Sequence, residues 1–302
     1  VPAVNRASLQ LPPRAESRRR TGVTLAEIAV VLAVMGVLGS AIGLTLVRQQ
    51  RFYRGATELL HAREGVRDAM ELLSTDIRGM SVSDTVRLFA DSAIEFFANV
   101  GSSIVCETTG GSVGLPAASS GRGNALTAFL NQPDTGDIAV FHRDSLDGAS
   151  EWERQRISGF RARPAMACPG FILDLAAPLS AHVRSGAPVR FIRRGRYSLY
   201  HASDGQWYLG YRRCNAVGPS RCGAIQPLSG PYRDYSSNPR NTGLLFEYFD
   251  GSGSRATPGE TPFAIARVDI TARAESRQRI VVEGRVSAPA DSATVSIAIR
   301  NR

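Results

Sequence analysis

The run "VTLAEIAVVLAVMGVLGSAIGLTLV", from Val23 to Val47, limits what this chain can become more than any other feature. It holds 25 residues and a single charge, Glu27. An α-helix rises 1.5 Å per residue, so about 20 apolar residues cross the hydrocarbon core of a bilayer. Three arginines, Arg18 to Arg20, stand just before the run. Basic flanks stay cytoplasmic, so the body after Val47 is expected on the far side of a bacterial inner membrane, with a single pass between. A cleaved secretory signal would end in a small-residue site after the apolar stretch. Here the chain continues as "RQQRFYRGATELLHAREGVRDAMELLSTDIRGM". Leu59, Ala62, Val66, Ala69, Met70, Leu73 and Ile77 recur in it at spacings of three and four, an amphipathic stripe. No proline occurs between Val23 and Met80, so one helix is predicted to run through the membrane (23–47) and on along a globular body (48–80).

Glu27 is the anomaly in this picture. A carboxylate in hydrocarbon is costly and usually functional. The plainer alternative is an interfacial glutamate that snorkels to the headgroups.

The residues around it carry a resemblance. "RRRTG" followed by "VTLAEIAVVLAVMG" resembles the class III signal of type IV pilins and type II secretion pseudopilins. On that resemblance residues 1–22 form a basic prepilin leader, cut after Gly22 by a prepilin peptidase. Val23 becomes the N-methylated mature N-terminus. Thr24, Leu25 and Glu27 match the second, third and fifth mature positions, and Gly36 the fourteenth. Val23 departs from the usual Phe, and Leu44 from a proline of many major pilins; the latter points to a minor subunit. The resemblance further implies that Glu27 of an incoming subunit pairs with the N-terminal amine of one already docked. Implied partners are other minor and major pilins or pseudopilins and the inner-membrane assembly platform. Gly36, Gly39, Ser40 and Gly43 would let such helices approach closely.

Beyond Met80 the periodicity changes to short strand-like runs, with Gly- and Ser-rich loops over 101–125 and a long irregular segment over 215–241. "YSLYHASDGQWYLGY" is the clearest hairpin, turning at Asp204-Gly205. The order is α+β: one long helix, then an antiparallel, strand-rich body over 81–302 with long loops. "LLFEYFDGSG" followed by "IARVDITARAE", and the ending "VSIAIRNR", resemble the C-terminal region of PilW-type minor pilins and J-type pseudopilins.

All 36 basic residues are arginine, and the formal net charge is +9. The first 22 residues hold five Arg against one Glu, leaving +5 for the rest. A solvated face accounts for that excess; contact with nucleic acid is the alternative. The cysteines are Cys106, Cys168, Cys214 and Cys222, with no C-x-x-C pair, which argues against a zinc ribbon. Cys214 and Cys222 bracket a short loop, "CNAVGPSRC", and are expected to close it as a disulfide; Cys106 with Cys168 follows by elimination. Four buried thiols are the alternative.

His61, His142, His182 and His201 form no metal pair at helical spacing, and no G-x-S-x-G elbow or P-loop occurs. His142 with Asp144 reads as a surface pair. Neither catalysis nor a cofactor is expected. "DGSGS" offers Asp250, Ser252 and Ser254 as alternating oxygens for calcium, with Glu260 downstream, but the EF-hand spacing fails. A turn held by Asp250 and its glycines accounts for the same residues. The expected function is a non-enzymatic subunit that primes or caps a type IV pilus or secretion pseudopilus. The alternative is a bitopic, membrane-anchored periplasmic binding module that never polymerises.

Overall fold

A computed structural model describes residues 22–80, 86–117, 126–144, 150–163, 170–256, 265–276, 280–282 and 285–299. Of the expected leader, only Gly22 falls within them. The chain divides into two compact units, one ending at Tyr53 and the other running from Arg54 onward.

The described part of the first unit is helical from Leu25 onward. Helix α1 spans Leu25–Arg78, 54 residues. It starts two residues after Val23 and stops two before Met80, the fraying expected at helix ends. Its N-terminal part is long and apolar enough to cross a membrane by length and composition. Val23 to Val47 are exposed apart from half-buried Gly43. Hydroxyls in this stretch bond back into the helix, Ser40 Oγ to Val37 O (2.8 Å) and Thr45 Oγ1 to Ala41 O (2.9 Å). A helix in lipid has to satisfy such groups internally.

The second unit opens with the rest of α1. There Ala62, Val66, Ala69, Leu73 and Ile77 are buried, the stripe expected from the spacing, with Met70 packed beside it. The strands that follow are β1 (Leu88–Phe89), β2 (Ala93–Ile104), β3 (Glu107–Thr109), β4 (Ser112–Pro116) and β5 (Ala128–Phe129). Next come β6 (Ile138–Asp144), β7 (Ser150–Arg163), β8 (Gly170–Leu175), β9 (Pro188–His201), β10 (Trp207–Arg213) and β11 (Gln226–Tyr232). Last are β12 (Leu244–Asp250), β13 (Ile265–Glu275), β14 (Ile280–Val282), β15 (Arg285–Ser287) and β16 (Ala290–Ala298). Fourteen strands join one sheet, while β14 and β15 pair as a separate hairpin; all named pairings are antiparallel. The α+β expectation therefore holds at the level of one long helix and an antiparallel sheet domain.

Strand β9 is the hub. One of its edges takes β2 along Pro188–Ser198. The other takes β6 over Val189–Ile192 and then β10 over Gly195–His201. Beyond β10 the sheet continues through β11, β13 and β12, with β16 also on β13. That wing meets α1 in the main core, where Leu73 and Ile77 pack with Ile94, Phe96, Tyr197, Leu209, Phe246 and Ile270. Beyond β6 the sheet continues through β7, β8, β4 and β3 and encloses a second core built on Val113, Phe141, Ile157, Leu173 and Phe191.

The hairpin at Asp204-Gly205 joins β9 to β10, with Gly205 at φ 78°. That left-handed conformation is one that glycine adopts without a Cβ penalty. The stretch expected to be loop over 101–125 instead carries the end of β2 and both β3 and β4, whose Val113 and Leu115 are buried. The irregular 215–241 segment contains β11, in which Tyr232 donates to Gly65 O of α1 at 2.7 Å. Gly65 lets that segment approach: a Cβ there would lie 3.4 Å from Gly230 O.

At the foot of α1, Asp76 accepts the Tyr197 hydroxyl. Burial pushes the Asp76 carboxyl above its ordinary range, and the tyrosine bond only partly offsets this. The native state then binds that proton more tightly than the unfolded chain. Stability from this group is present at low pH and declines as pH rises through the raised value. Asp76→Asn should therefore gain stability relative to the parent between about pH 4 and neutrality, measured by chemical denaturation across pH in detergent. Leu73→Ala, at a fully buried position, should cost about 2–5 kcal/mol in the same assay.

Candidate functional site

Gly22, Val23, Thr24, Leu25 and Glu27 lie together at the head of α1. Thr24 is the N-cap. Its N–H and its Oγ1 both donate to Glu27 Oε2, at 2.9 and 3.1 Å. In return Glu27 N donates to Thr24 Oγ1 at 3.3 Å. This reciprocal arrangement is a capping box, which satisfies helix-end donors and turns the carboxylate back toward the chain's N-terminal side. The pilin resemblance implies a pairing of Glu27 with the amine of a docked subunit; within one chain the carboxylate accepts from Thr24. Gly36, Gly39 and Gly43 have nothing within 4 Å of where a Cβ would stand.

A second constellation lies in the body and was not read from the sequence. Glu95 of β2 is fully buried. It faces Arg194 and Arg196 of β9, with Arg194 Nη2 at 2.6 Å from Oε1 and Arg196 Nη2 at 2.7 Å from Oε2. Ser220 Oγ adds a third donor at 2.8 Å. Burial alone would raise this carboxyl, but the bonds from Ser220, Arg196 and Arg194 outweigh it and hold it below the ordinary range. Ser220 belongs to the loop closed by the Cys214–Cys222 disulfide, the pairing expected from the sequence. The same loop supplies Asn215 O and Gly218 O as acceptors for Arg194 Nη1, at 3.1 and 3.2 Å. The disulfide thus closes a lid whose backbone and serine complete a buried ion pair. Glu95 lies near both sulfurs, which would suit a metal. The sulfurs are bonded to each other, however, and offer no thiolate. Cys106 is also disulfide-bonded; Cys168, its expected partner, lies outside the described residues.

A third cluster sits on the opposite face of β9. Asp137, 2% exposed, accepts Arg193 Nη2 at 2.7 Å and Arg213 Nη2 at 2.8 Å. Arg213 also reaches Asp134 at 2.6 Å, and that bond holds the Asp134 carboxyl below its ordinary value. Of these residues only Arg193 lies in the run "FIRRGR", whose adjacent arginines in a strand with an apolar side demand acids from elsewhere.

Asp250, Ser252 and Ser254 do come together, as a turn. Asp250 Oδ1 accepts Ser252 N at 2.9 Å, Ser252 Oγ at 2.7 Å and Ser254 N at 2.9 Å. Those bonds, the Ser252 hydroxyl first, hold the carboxyl below its ordinary value. Glu260 lies outside the described residues. His142 Nδ1 is 3.9 Å from Asp144 Oδ1, and a Trp152 ring lies edge-on to the imidazole.

No protein-family model, curated protein or solved structure matches the chain.

Breaking the lid has a calculable effect. Closing a nine-residue loop is worth about 2.5 kcal/mol by chain entropy. Loosening Ser220 from Glu95 adds about 1.5–3 kcal/mol for a charged hydrogen bond. Cys222→Ser should lower unfolding free energy by about 3 kcal/mol or more, by non-reducing denaturant titration. Reductant should then destabilise the parent by more than the variant.

Proposed function

We propose that this chain is a minor pilin or minor pseudopilin, a structural subunit that primes or caps a type IV pilus or a type II secretion pseudopilus. The observation carrying the reading is the head of α1. An exposed apolar helix of membrane-spanning length begins at a Thr24–Glu27 capping box. Directly before it stands Gly22, preceded by arginines.

Physical chemistry ties these parts to assembly. Cleavage after Gly22 would create an amine at Val23, a cation at the membrane near neutral pH. In one chain, Glu27 already turns back toward that end. In a filament, the amine of a docked subunit competes for the same carboxylate. Hydrocarbon strengthens such a pairing because the alternative is an unpaired charge. The bare glycines at 36, 39 and 43 give neighbouring helices room to close on one another. The second half of the helix, fixed by its buried stripe, is the handle that carries the body.

The test is intact-mass and N-terminal peptide mass spectrometry on the chain from host membranes, with and without prepilin peptidase. A mature chain beginning at N-methylated Val23, formed only with the peptidase, is expected. A chain that keeps residues 1–22 under both conditions would overturn the reading and favour the anchored binding module. Glu27→Gln should still be cleaved, yet its recovery in sheared filaments should fall by roughly tenfold or more, the loss of an ion pair in lipid.

A further inference from the structure

Residues directly paired across antiparallel strands share a face, as do residues two apart along a strand. On β9 the odd positions Phe191, Tyr197 and Leu199 enter the two large cores. The even positions Arg190, Ile192, Arg194 and Arg196 therefore point the other way. Register extends that outer face: Arg190 pairs with Val140 and Ile192 with Ile138 of β6. These pair in turn with Arg154 and Arg156 of β7, and His142 with Trp152. On β2, Arg194 pairs with Phe97 and Arg196 with Glu95.

The face so assembled carries Arg154, Arg156, Arg190, Arg194 and Arg196, and the Arg87 guanidinium joins them over the Phe97 ring, 5.6 Å from its centroid. Among the described residues of β2, β6, β7 and β9, register assigns two carboxylates to this face. Glu95 is buried and already bonded to Arg194 and Arg196, and Asp144 lies at the far end beside His142. An apolar floor of Phe97, Ile138, Val140 and Ile192 lies between the guanidiniums. A cleft of about 360 Å³ opens there, with Arg87, Arg154, Arg156 and Arg194 in its lining. Trp152, 41% exposed, stands at one edge with the Arg190 guanidinium 5.3 Å over its ring.

We infer that this outer face binds single-stranded nucleic acid. The exposed guanidiniums of Arg87, Arg156 and Arg190 give a groove for phosphodiesters, and an exposed indole with a stacked arginine gives a platform for a base. From Trp152 to Arg156 the strand runs ~13 Å, and from β7 to β2 three strand spacings cover ~14 Å. The patch therefore holds a few nucleotides. An acidic peptide would use the cations but not the exposed ring. The inference stands apart from the filament reading, since it uses none of the residues at the head of α1.

The experiment uses the full chain in uncharged detergent, titrated with an oligo-deoxythymidine of about 12 nucleotides while tryptophan emission is followed. The chain has two tryptophans, and Trp207 packs against the main core, so Trp152 reports the face. Expected are saturable quenching, lost in Trp152→Phe, and weakening by roughly tenfold or more in the Arg156→Glu/Arg190→Glu double variant. The slope of log affinity against log salt should become shallower by about 0.7 for each arginine removed. Both arginines are exposed; should the double variant lose its thermal transition, Arg156→Glu alone carries the same test. Arg240→Glu, at an exposed turn position that register does not assign to this face, should bind like the parent. Absence of saturable binding overturns the inference. So does affinity unchanged in the arginine variants, or equal competition by polyglutamate or heparin at matched charge.

Discussion

Period-two alternation along β9 governs the body. Over fourteen residues the strand places Phe191, Tyr197 and Leu199 inward and Ile192, Arg194 and Arg196 outward. A shift of one residue would send arginines into the main core and strip α1 of its partners. That register is fixed from both edges, by β2 on one and by β6 and β10 on the other. The ion pairs fix it further: Arg194 and Arg196 reach Glu95 on one face, while Arg193 reaches Asp137 on the other.

Burying Glu95 is costly, and a hydrophobic replacement of similar shape would often be as stable. What the ion pair adds is uniqueness. Two forked guanidiniums, a serine hydroxyl and two loop carbonyls must all arrive for the charges to be satisfied. The disulfide keeps the loop's share of those groups within reach. Closing the loop by a covalent bond outside the sheet leaves the strand backbones free to pair normally through Arg213.

Local features of the sequence were the legible ones. The stripe from Ala62 to Ile77, the turn at Asp204-Gly205, the strands beginning at Leu244 and Ile265, and the Cys214–Cys222 pair all depend on residues within a few positions of one another. Strand β7 was missed because "SEWERQRISGFRAR" alternates around arginines on its solvent side and has few apolar residues on the other. Strand β11 was missed because Pro227, Gly230 and Pro231 read as breakers, although proline is tolerated where a strand makes few ladder bonds. The head of α1 is contiguous and could be read directly. Glu95 and Arg194 lie 99 positions apart, and only the pairing of β2 with β9 joins them.

The outer face can be judged against what the fold alone requires. Helix α1 and the second core between them cover the inner face of β9, so the outer face has to be wettable. Long stems of arginine can also shield Phe97, Ile138 and Ile192, which are buried despite lying on that side. Neither need dictates the sign of the charge. The chain has 27 acidic residues, and a mixed surface would wet the face without self-repulsion. Instead Glu95 is drawn into the interior against Arg194 and Arg196, while the guanidiniums of Arg87, Arg156 and Arg190 stand outside. Packing explains that the face is polar, and Glu95 accounts for Arg194 and Arg196; neither accounts for the exposed Arg87, Arg156 and Arg190 beside an exposed indole, and an anionic ligand with stacking bases does.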